Sequence, residues 1–468
     1  MNARAVKTLC AAGPALNERH GSPLADPVYR GIMALRAPGA LEAGVRDAWV
    51  RSDKMPRVSQ VHVLQTHYRP YTRAHLVAEI DLESWNQTHC PYRQFLYIAI
   101  YPTHGQAHEE YFRSSMNEAL RCYGAPVFVL EDPSAVVWSL PNGPKLESVR
   151  LCFERSLFAQ FLAHNGLAPA RSDAAPELPE LIRYVPRKRA LFRYQATGNG
   201  VPVLYIKFYG RGEDARAAHN LARLSEAAAQ GRLGFQPPRL ILHAAQSHAV
   251  AMTEVPGTRL SALLRTASQT TFAAVGCALG GLHASPIRPR LAWTVQGEIQ
   301  ALFCAMADVK MALPGLKPML DEVLREIVVR QQRLDFGAQV PIHANLFGDQ
   351  ILVDGARVGI VDWDDLALGD PLYDVGRLIA HLVFLAQRAQ TSPVEITRHL
   401  RRLLQAYAET TKGGVAWERL RWHIAVALLL RAKISVLRRL PSGWIEDIRW
   451  SIAEAARVLE DKSPWLPT

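Results

Sequence analysis

Pro341-Ile-His-Ala-Asn-Leu-Phe-Gly-Asp-Gln-Ile-Leu-Val-Asp354, followed by Val358-Gly-Ile-Val-Asp-Trp-Asp-Asp365, is the stretch whose reading decides the fold. It is short, strand-like and Asp-rich, and it interrupts a C-terminal region that is helical in texture from about Ser261. Apolar residues recur at helical spacing through Phe272–Leu282 and Leu316–Leu334 before it, and through Ile379–Leu385, Ile396–Ala408 and Trp417–Leu437 after it. Upstream, strands dominate: Val61-His-Val-Leu, His75-Leu-Val-Ala-Glu-Ile and Phe95-Leu-Tyr-Ile-Ala-Ile-Tyr are rich in β-formers. A helical stretch at about Glu109–Cys122 and two short strands, Val127–Leu130 and Val136–Leu140, complete this block. A second strand-rich block begins near Leu181, after a linker at Leu167–Pro179. The order predicts a sheet-rich small lobe followed by a helical large lobe.

The two strand-rich blocks repeat one another. Tyr68-Arg-Pro-Tyr-Thr-Arg-Ala74 lines up with Tyr184-Val-Pro-Arg-Lys-Arg-Ala190, and Leu96-Tyr-Ile-Ala-Ile-Tyr101 with Leu204-Tyr-Ile-Lys-Phe-Tyr209. Each pair falls in the same order and precedes a helix-like segment. The copies differ where Lys207 replaces Ala99. A lysine inside an apolar strand either snorkels from an edge or is aimed into a cleft to hold phosphates. The second alternative makes the first copy an inert duplicate.

The quoted stretch has the spacing of a kinase catalytic loop, which reads His-x-Asp, four residues, Asn, with a metal-binding Asp one strand hairpin later. His343-Ala-Asn345, four residues, Gln350 and then Asp362 reproduce that spacing. With Met252-Thr-Glu-Val-Pro-Gly257, Leu279-Gly-Gly-Leu-His283 and Gly369-Asp-Pro-Leu-Tyr-Asp374, the chain resembles the aminoglycoside phosphotransferases and their choline-kinase-like and maltokinase-like relatives from about Leu181 to the C-terminus. The resemblance implies a bilobal, protein-kinase-like α+β fold using ATP and Mg2+. It implies that Lys207 holds the α/β-phosphates, that Asp362 and Gln350 coordinate magnesium, and that the backbone around Met252 and Glu254 holds the adenine. Asn345 would position the acceptor hydroxyl, and His343 of the same catalytic loop reads as a buried organiser of that loop rather than an acid–base residue. Two residue types depart from the pattern: Asn345 stands where the family has its catalytic Asp, and Gln350 where it has Asn. Gln remains an oxygen ligand. An amide cannot serve as a general base, a role worth about 10²–10⁴-fold. Phosphoryl transfer is dominated by positioning and electrostatics, so turnover can survive the change.

Arg189, ending the Tyr-x-Pro-x-x-Arg motif, meets either a phosphate or a carboxylate. Asp370 and Asp374 read as organisers of the large lobe, capping a helix and bonding the catalytic-loop backbone. Asp349 is a candidate substitute base. Gly198-Asn-Gly200 falls where a phosphate-covering hairpin would turn. Four segments are expected: a weakly ordered residues 1–56 with one helix around Ala40–Val50, an N-terminal α+β cap at 57–165 resembling a duplicated small lobe, a small lobe at 180–257 and a helical large lobe at 258–468.

Composition agrees with a multidomain globular chain. Its 468 residues are 49% hydrophobic and 21% charged, which excludes collagen-like and mainly disordered classes. No apolar run approaches the ~20 residues of a membrane span. The six cysteines are scattered without CxxC spacing, as expected of reduced thiols in the cytoplasm. A formal charge of +11 attracts polyanions without naming one. No zinc-finger or aromatic-and-basic strand-binding pattern accompanies it, so nucleic acid is not the expected partner. The expected partners are a nucleotide and a small-molecule acceptor such as a sugar or amino-sugar. A protein partner replaces the acceptor if the chain is a pseudokinase.

Overall fold

The computed structural model describes residues 23–49, 58–82, 92–115, 125–144, 146–167, 176–195, 203–210, 212–336 and 339–467. The Gly198-Asn-Gly200 turn, residues 1–22 and 50–57, and the end of the helix expected to reach Cys122 lie outside the described residues.

Helices α1 (Pro27–Arg36) and α2 (Ala40–Trp49) come first. Sequence reading expected only the second. Asp26 and Pro27 carry the signal for the first: the Asp26 carboxylate accepts from the Val28 N–H at 2.8 Å, and Pro27 sits where no N–H is needed. Val28, Ile32, Leu35, Leu41 and Val45 are buried, so this segment is a packed layer rather than a loose lead-in.

The next elements form one unit twice. Strands β1 (Val58–Arg69), β2 (Arg73–Leu82) and β3 (Tyr92–Ile100), helix α3 (His104–Ser115), then β4 (Val127–Leu130) and β5 (Ala135–Ser139) make a sheet of order β1-β2-β3-β5-β4. After α4 (Arg155–His164), strands β6 (Glu180–Val185), β7 (Arg189–Tyr194) and β8 (Leu204–Tyr209), helix α5 (Asp214–Ala229), then β9 (Leu240–Ala244) and β10 (Ala249–Thr253) give the order β6-β7-β8-β10-β9. The registers match as well. Tyr68 pairs with Ala74 and Ala74 with Ile100, as Tyr184 pairs with Ala190 and Ala190 with Phe208. Residue for residue, Ala99 occupies the position of Lys207.

Strand alternation sends the two faces of each sheet into different surroundings. In the first sheet Leu76, Ala78, Ile80, Ile98 and Ile100 pack in the core that includes α1 and α2. Val77, Tyr97, Ala99, Val136 and Trp138 face the second sheet. They meet Ala190, Phe192, Ile206, Phe208 and Ala251, together with Phe158 and Phe161 of α4. The opposite face of the second sheet, which carries Val250 and Tyr209, joins the large-lobe core. The layers therefore stack head to tail: helices, first sheet, second sheet, helical lobe.

That lobe opens with β11 (Thr258–Arg259), α6 (Gln269–His283), β12 (Leu291–Ala292), α7 (Val295–Ala312) and α8 (Lys317–Gln331). Strands β13 (Val340–Ile342), β14 (Ile351–Asp354), β15 (Arg357–Ile360) and β16 (Ala367–Gly369) follow. It closes with α9 (Pro371–Arg388), α10 (Pro393–Thr411), α11 (Trp417–Arg431), a π-helical turn over Ala432–Leu437 and α12 (Trp444–Leu459). Gly276 lets α6 and α10 touch, since a Cβ there would stand 2.2 Å from the Leu403 carbonyl oxygen. The N-terminal unit grips the segment after the π turn. The Tyr68 N–H donates to the Arg438 carbonyl at 2.8 Å, and the Arg36 guanidinium donates to the Leu440 and Arg439 carbonyls at 2.8 and 3.0 Å.

Candidate active site

The site lies where the second sheet meets the β13–β16 region. Lys207 is on central strand β8, and its side chain is only 9% exposed. Its Nζ donates to Asp362 Oδ1 and to Asp364 Oδ2, both at 2.7 Å. Arg189, on the same face of β7, donates to Asp364 Oδ2 at 2.6 Å and stands 4.0 Å from Asp362. The Tyr209 hydroxyl donates to Asp364 Oδ1 at 2.8 Å. Burial alone would raise the Asp362 carboxyl; the neighbouring Lys207 and Arg189 charges outweigh it and hold the group well below the usual carboxylate range. Conversely, these carboxylates overcome burial at Arg189 and raise its guanidinium.

The chain turns sharply to present these carboxylates. Asp362 leaves β15 in the left-handed region at φ +69, and Trp363–Asp365 form a 3₁₀ turn that swings Asp364 to the same side. On α5, Asn220 donates to the Trp363 carbonyl at 2.9 Å and clamps that turn. The lysine's counter-charges thus come from the loop of Asp362 and Asp364, while α5 contributes an amide that holds the backbone of that loop.

The segment from His343 to Gln350 is held from behind. Asp374, fully buried on α9, accepts from the His343 and Ala344 N–H groups at 2.6 and 3.0 Å. These bonds fix Ala344 in the left-handed region at φ +63, a conformation costing about 1 kcal/mol or more for a residue with a Cβ. The Gly348 N–H donates to His381 Nδ1 at 2.7 Å, and Asp370 caps α9 through the Leu372 N–H at 2.8 Å. His343 is fully buried, its Nε2 donating to the Val361 carbonyl at 3.0 Å. It ties the loop to the strand that carries Asp362.

Asn345 is half-buried, and among the described residues its carboxamide hydrogen-bonds no protein group. Gln350 Oε1 accepts from the Phe347 N–H at 2.8 Å, and its Nε2 approaches Asp362 Oδ2 at 3.5 Å. Asp349 is exposed and accepts a hydrogen bond from the Ser261 hydroxyl. Met252 lies in β10 between Tyr205 and Leu240. Glu254, just beyond, gives its N–H to the Val203 carbonyl at 3.3 Å, and its exposed carboxylate stands 3.7 Å from Arg193. The structure thus gathers Lys207, Arg189, Asp362 and Gln350 around one point, with His343 behind them and Asn345 in the adjoining loop. Met252 and Glu254 sit at the C-terminal end of β10, an interior strand of the second sheet.

Among the described residues no group of three His, Cys, Asp or Glu side chains could hold a metal unaided. Asp362 and Gln350 are the adjacent oxygen-bearing pair. Two protein donors completed by water and phosphate oxygens are what magnesium accepts. The residues present therefore fit a phosphate-bound magnesium, with the Gln350 carbonyl released from Phe347.

Sequence reasoning missed Asp364 as the shared acceptor and Tyr209 as its third donor. Their signals were the i, i+2 spacing from Asp362 and from Lys207. It also missed Arg377, a single arginine within an apolar helical run, and took Arg431 only as the start of a basic cluster running to Arg439. Their guanidinium carbons stand 5.6 and 5.5 Å from the centre of the Phe347 ring.

The profile of the phosphotransferase enzyme family APH matches residues 185–423, just over half of the chain. No curated protein matches. Solved structures to which this chain is similar include a choline/ethanolamine kinase family protein from Mesorhizobium loti, at 17% identity over 65% of this chain and 96% of that one, TM-score 0.46. The choline kinase LicA from Streptococcus pneumoniae is similar at 15% identity over 65% and 98%, TM-score 0.43. A choline kinase from Cryptosporidium parvum is similar at 10% identity over 66% and 96%, TM-score 0.48. The architecture is α+β, with an N-terminal sheet that repeats the strand order of the second sheet ahead of a helical lobe. The chain belongs to the APH phosphotransferase enzyme family.

Proposed function

We propose that this chain is a Mg·ATP-dependent phosphotransferase that acts on a hydroxyl of a small molecule and does so without a catalytic-loop carboxylate. The observation that carries it is the Lys207–Asp362–Asp364–Arg189 constellation, which joins the two lobes beside a loop whose backbone is already fixed by Asp374, His381 and Gln350. Mg·ATP, when bound, supplies the transferable phosphoryl group and neutralises its charge. Lys207 and Arg189 would meet phosphate oxygens, with Asp362 and Gln350 as metal donors, and the Met252–Glu254 segment would face the adenine. Asn345 would orient the acceptor hydroxyl through its carboxamide oxygen, and His343 would hold the loop. A cytoplasmic location, where a nucleotide and a small-molecule acceptor would both be met, goes with that reading. No helix of the described residues is long and apolar enough to cross a membrane. We assign the cap to 57–165, the small lobe to 180–257 and the large lobe to 258–468.

One observation favours a second reading, a nucleotide-binding pseudokinase that serves a protein partner: the amide at position 345. ADP release in the presence of Mg·ATP and an acceptor panel separates the two. Release by the wild type, raised about 10²–10⁴-fold in Asn345→Asp if proton removal limits the rate and abolished in Lys207→Ala, supports the enzyme. Silence of both wild type and Asn345→Asp with every acceptor, while Mg·ATP still binds, supports the pseudokinase.

A further inference from the structure

Two buried arginines stand beside the catalytic loop, and among the described residues neither forms an ion pair. Arg431, the last residue of α11, is 9% exposed, and Arg377, on α9, is 8% exposed. Their guanidinium carbons approach Phe347, two residues beyond Asn345, at 5.5 and 5.6 Å. Arg431 also lies 5.1 Å from the Phe384 ring, and Arg377 lies 4.8 Å from Tyr373. The Nε of each is buried with no hydrogen-bond partner. Among the described residues neither guanidinium has a carboxylate within ion-pair distance. The one bond from Arg377 is to the Ala344 carbonyl, at 3.5 Å, directly before Asn345.

The nearby carboxylates are committed elsewhere. Asp374 accepts the two loop N–H groups, Glu298 accepts the Trp293 indole N–H at 2.6 Å, and Asp349, which faces Arg431, is bonded by Ser261. Burial foremost, with Arg439 and Arg377 adding repulsion against the offsetting Asp349, pushes Arg431 down to about 9, so it remains cationic at neutral pH. A buried charge normally has a partner. Arg431 touches only aromatic faces, whereas Arg377 also meets the Ala344 carbonyl. Burial would lower the Arg377 guanidinium, but Tyr373, Glu298, Asp374 and Asp365 outweigh it and raise the group. A π-helical turn, an irregularity common at functional sites, begins directly after Arg431 and leads to Arg438 and Arg439. Asn345 completes the pattern, because a carboxylate there would repel an anion that these arginines attract.

We propose that the acceptor taken by this site carries an oxyanion, a phosphate or a carboxylate, received by Arg431 and Arg377. The proposal rests on the phosphotransferase reading of the same site, and the test separates the two. Mg·AMP-PNP is first titrated into full-length protein by calorimetry. With that site saturated and the γ-phosphate position filled, inorganic phosphate and, separately, acetate are titrated.

Saturable phosphate binding, weakened at least tenfold in Arg431→Met and less in Arg431→Lys, is the expected result. Binding of both anions supports an oxyanion of either kind, and binding of phosphate alone supports a phosphorylated acceptor. Arg431→Met is expected to melt at or above the wild-type temperature, because it removes an uncompensated buried charge. If that variant does not fold, Arg377→Met carries the same titration. No saturable anion binding, or binding unchanged in the arginine variants, overturns the proposal while leaving the nucleotide site intact. Loss of Mg·AMP-PNP affinity in Arg431→Met also overturns it, by assigning the arginines to the transferring phosphate. Failure of the wild type to bind Mg·AMP-PNP, with phosphate still bound through Arg431, sinks the phosphotransferase reading and the acceptor assignment together.

Discussion

The two five-stranded sheets share strand order, register and an intervening helix, yet only one can face a ligand. On the second sheet, the side bearing Lys207, Arg189 and Tyr209 looks across to Asp362 and Asp364. On the first sheet, the equivalent side bears Ala99, Arg73 and Tyr101, and the second sheet's back packs against it. Tyr97 stacks on Trp138 at 4.8 Å within that interface, and Arg187 from the β6–β7 turn pairs with Glu110 of α3 at 2.5 Å. A duplicated fold has thus been used once as a site and once as packing. What separates the uses is the neighbour on one face: a loop of carboxylates or an apolar sheet. Lys207 is tolerable only because two carboxylates meet it.

The comparison breaks most visibly if the two faces are exchanged. Ala99→Lys buries a cation at a fully buried position with no carboxylate to receive it, and should cost about 4 kcal/mol or more in a denaturant melt. A loss below about 1 kcal/mol would mean that the face is not sealed. Lys207→Ala removes the charge shared by two largely buried carboxylates and should destabilise the ligand-free protein by about 3 kcal/mol. An unchanged melt would contradict the ion-pair geometry. Asp364→Asn weakens the acceptor of Lys207, Arg189 and Tyr209 but keeps Asp362, so a smaller cost of about 2 kcal/mol is expected.

The smallest effect concerns the first sheet's sealed face. Burial, aided by Arg438 and Arg183, pushes His67 down to about 3; burial, aided by Arg73 and Arg187, does the same to His75. Both act as acceptors, from the Arg438 guanidinium at 3.2 Å and the Tyr97 hydroxyl at 2.7 Å. Their folded pKa lies below the unfolded value, so the unfolded chain binds more protons between about pH 6.5 and 3, and stability falls as pH falls through that window. Each histidine should cost about 1–2 kcal/mol at pH 5, after allowing for part exposure. His75→Gln should flatten the acid limb of a pH–melting profile, and a limb as steep as wild type would contradict the assignment.

Much of this was legible in the sequence because it lay in spacing. The repeat was visible in Tyr68–Ala74 against Tyr184–Ala190, and Ala99 against Lys207 marked the copies as unequal. The loop from His343 to Gln350 and the carboxylate at Asp362 followed from kinase spacing, and the structural roles of Asp370 and Asp374 from their place before and within a helix. Helix α1 was overlooked because its short amphipathic run sits among Gly and Pro residues, although Asp26-Pro27 announced it. The head-to-tail stacking was not legible, since strand alternation gives two apolar faces without saying which meets which neighbour. Nor was the sharing of Asp364, which depends on a left-handed turn at Asp362. Arg377 and Arg431 were hidden for a related reason: a lone arginine in an apolar helix and the head of a basic run at Arg431–Arg439 do not say what they face, and only the fold shows that both reach Phe347.

The most direct measurement is thermal melting of the full-length protein with and without Mg·ATP, beside Lys207→Ala and with Glu110→Gln as a control on the first sheet. At about 100 times Kd, binding adds about 2.7 kcal/mol of stability. A melting shift in the wild type and in Glu110→Gln that collapses in Lys207→Ala is the predicted result. Equal shifts in the wild type and Lys207→Ala, or none in either at millimolar Mg·ATP, would contradict the claim that the second sheet is the nucleotide-binding copy.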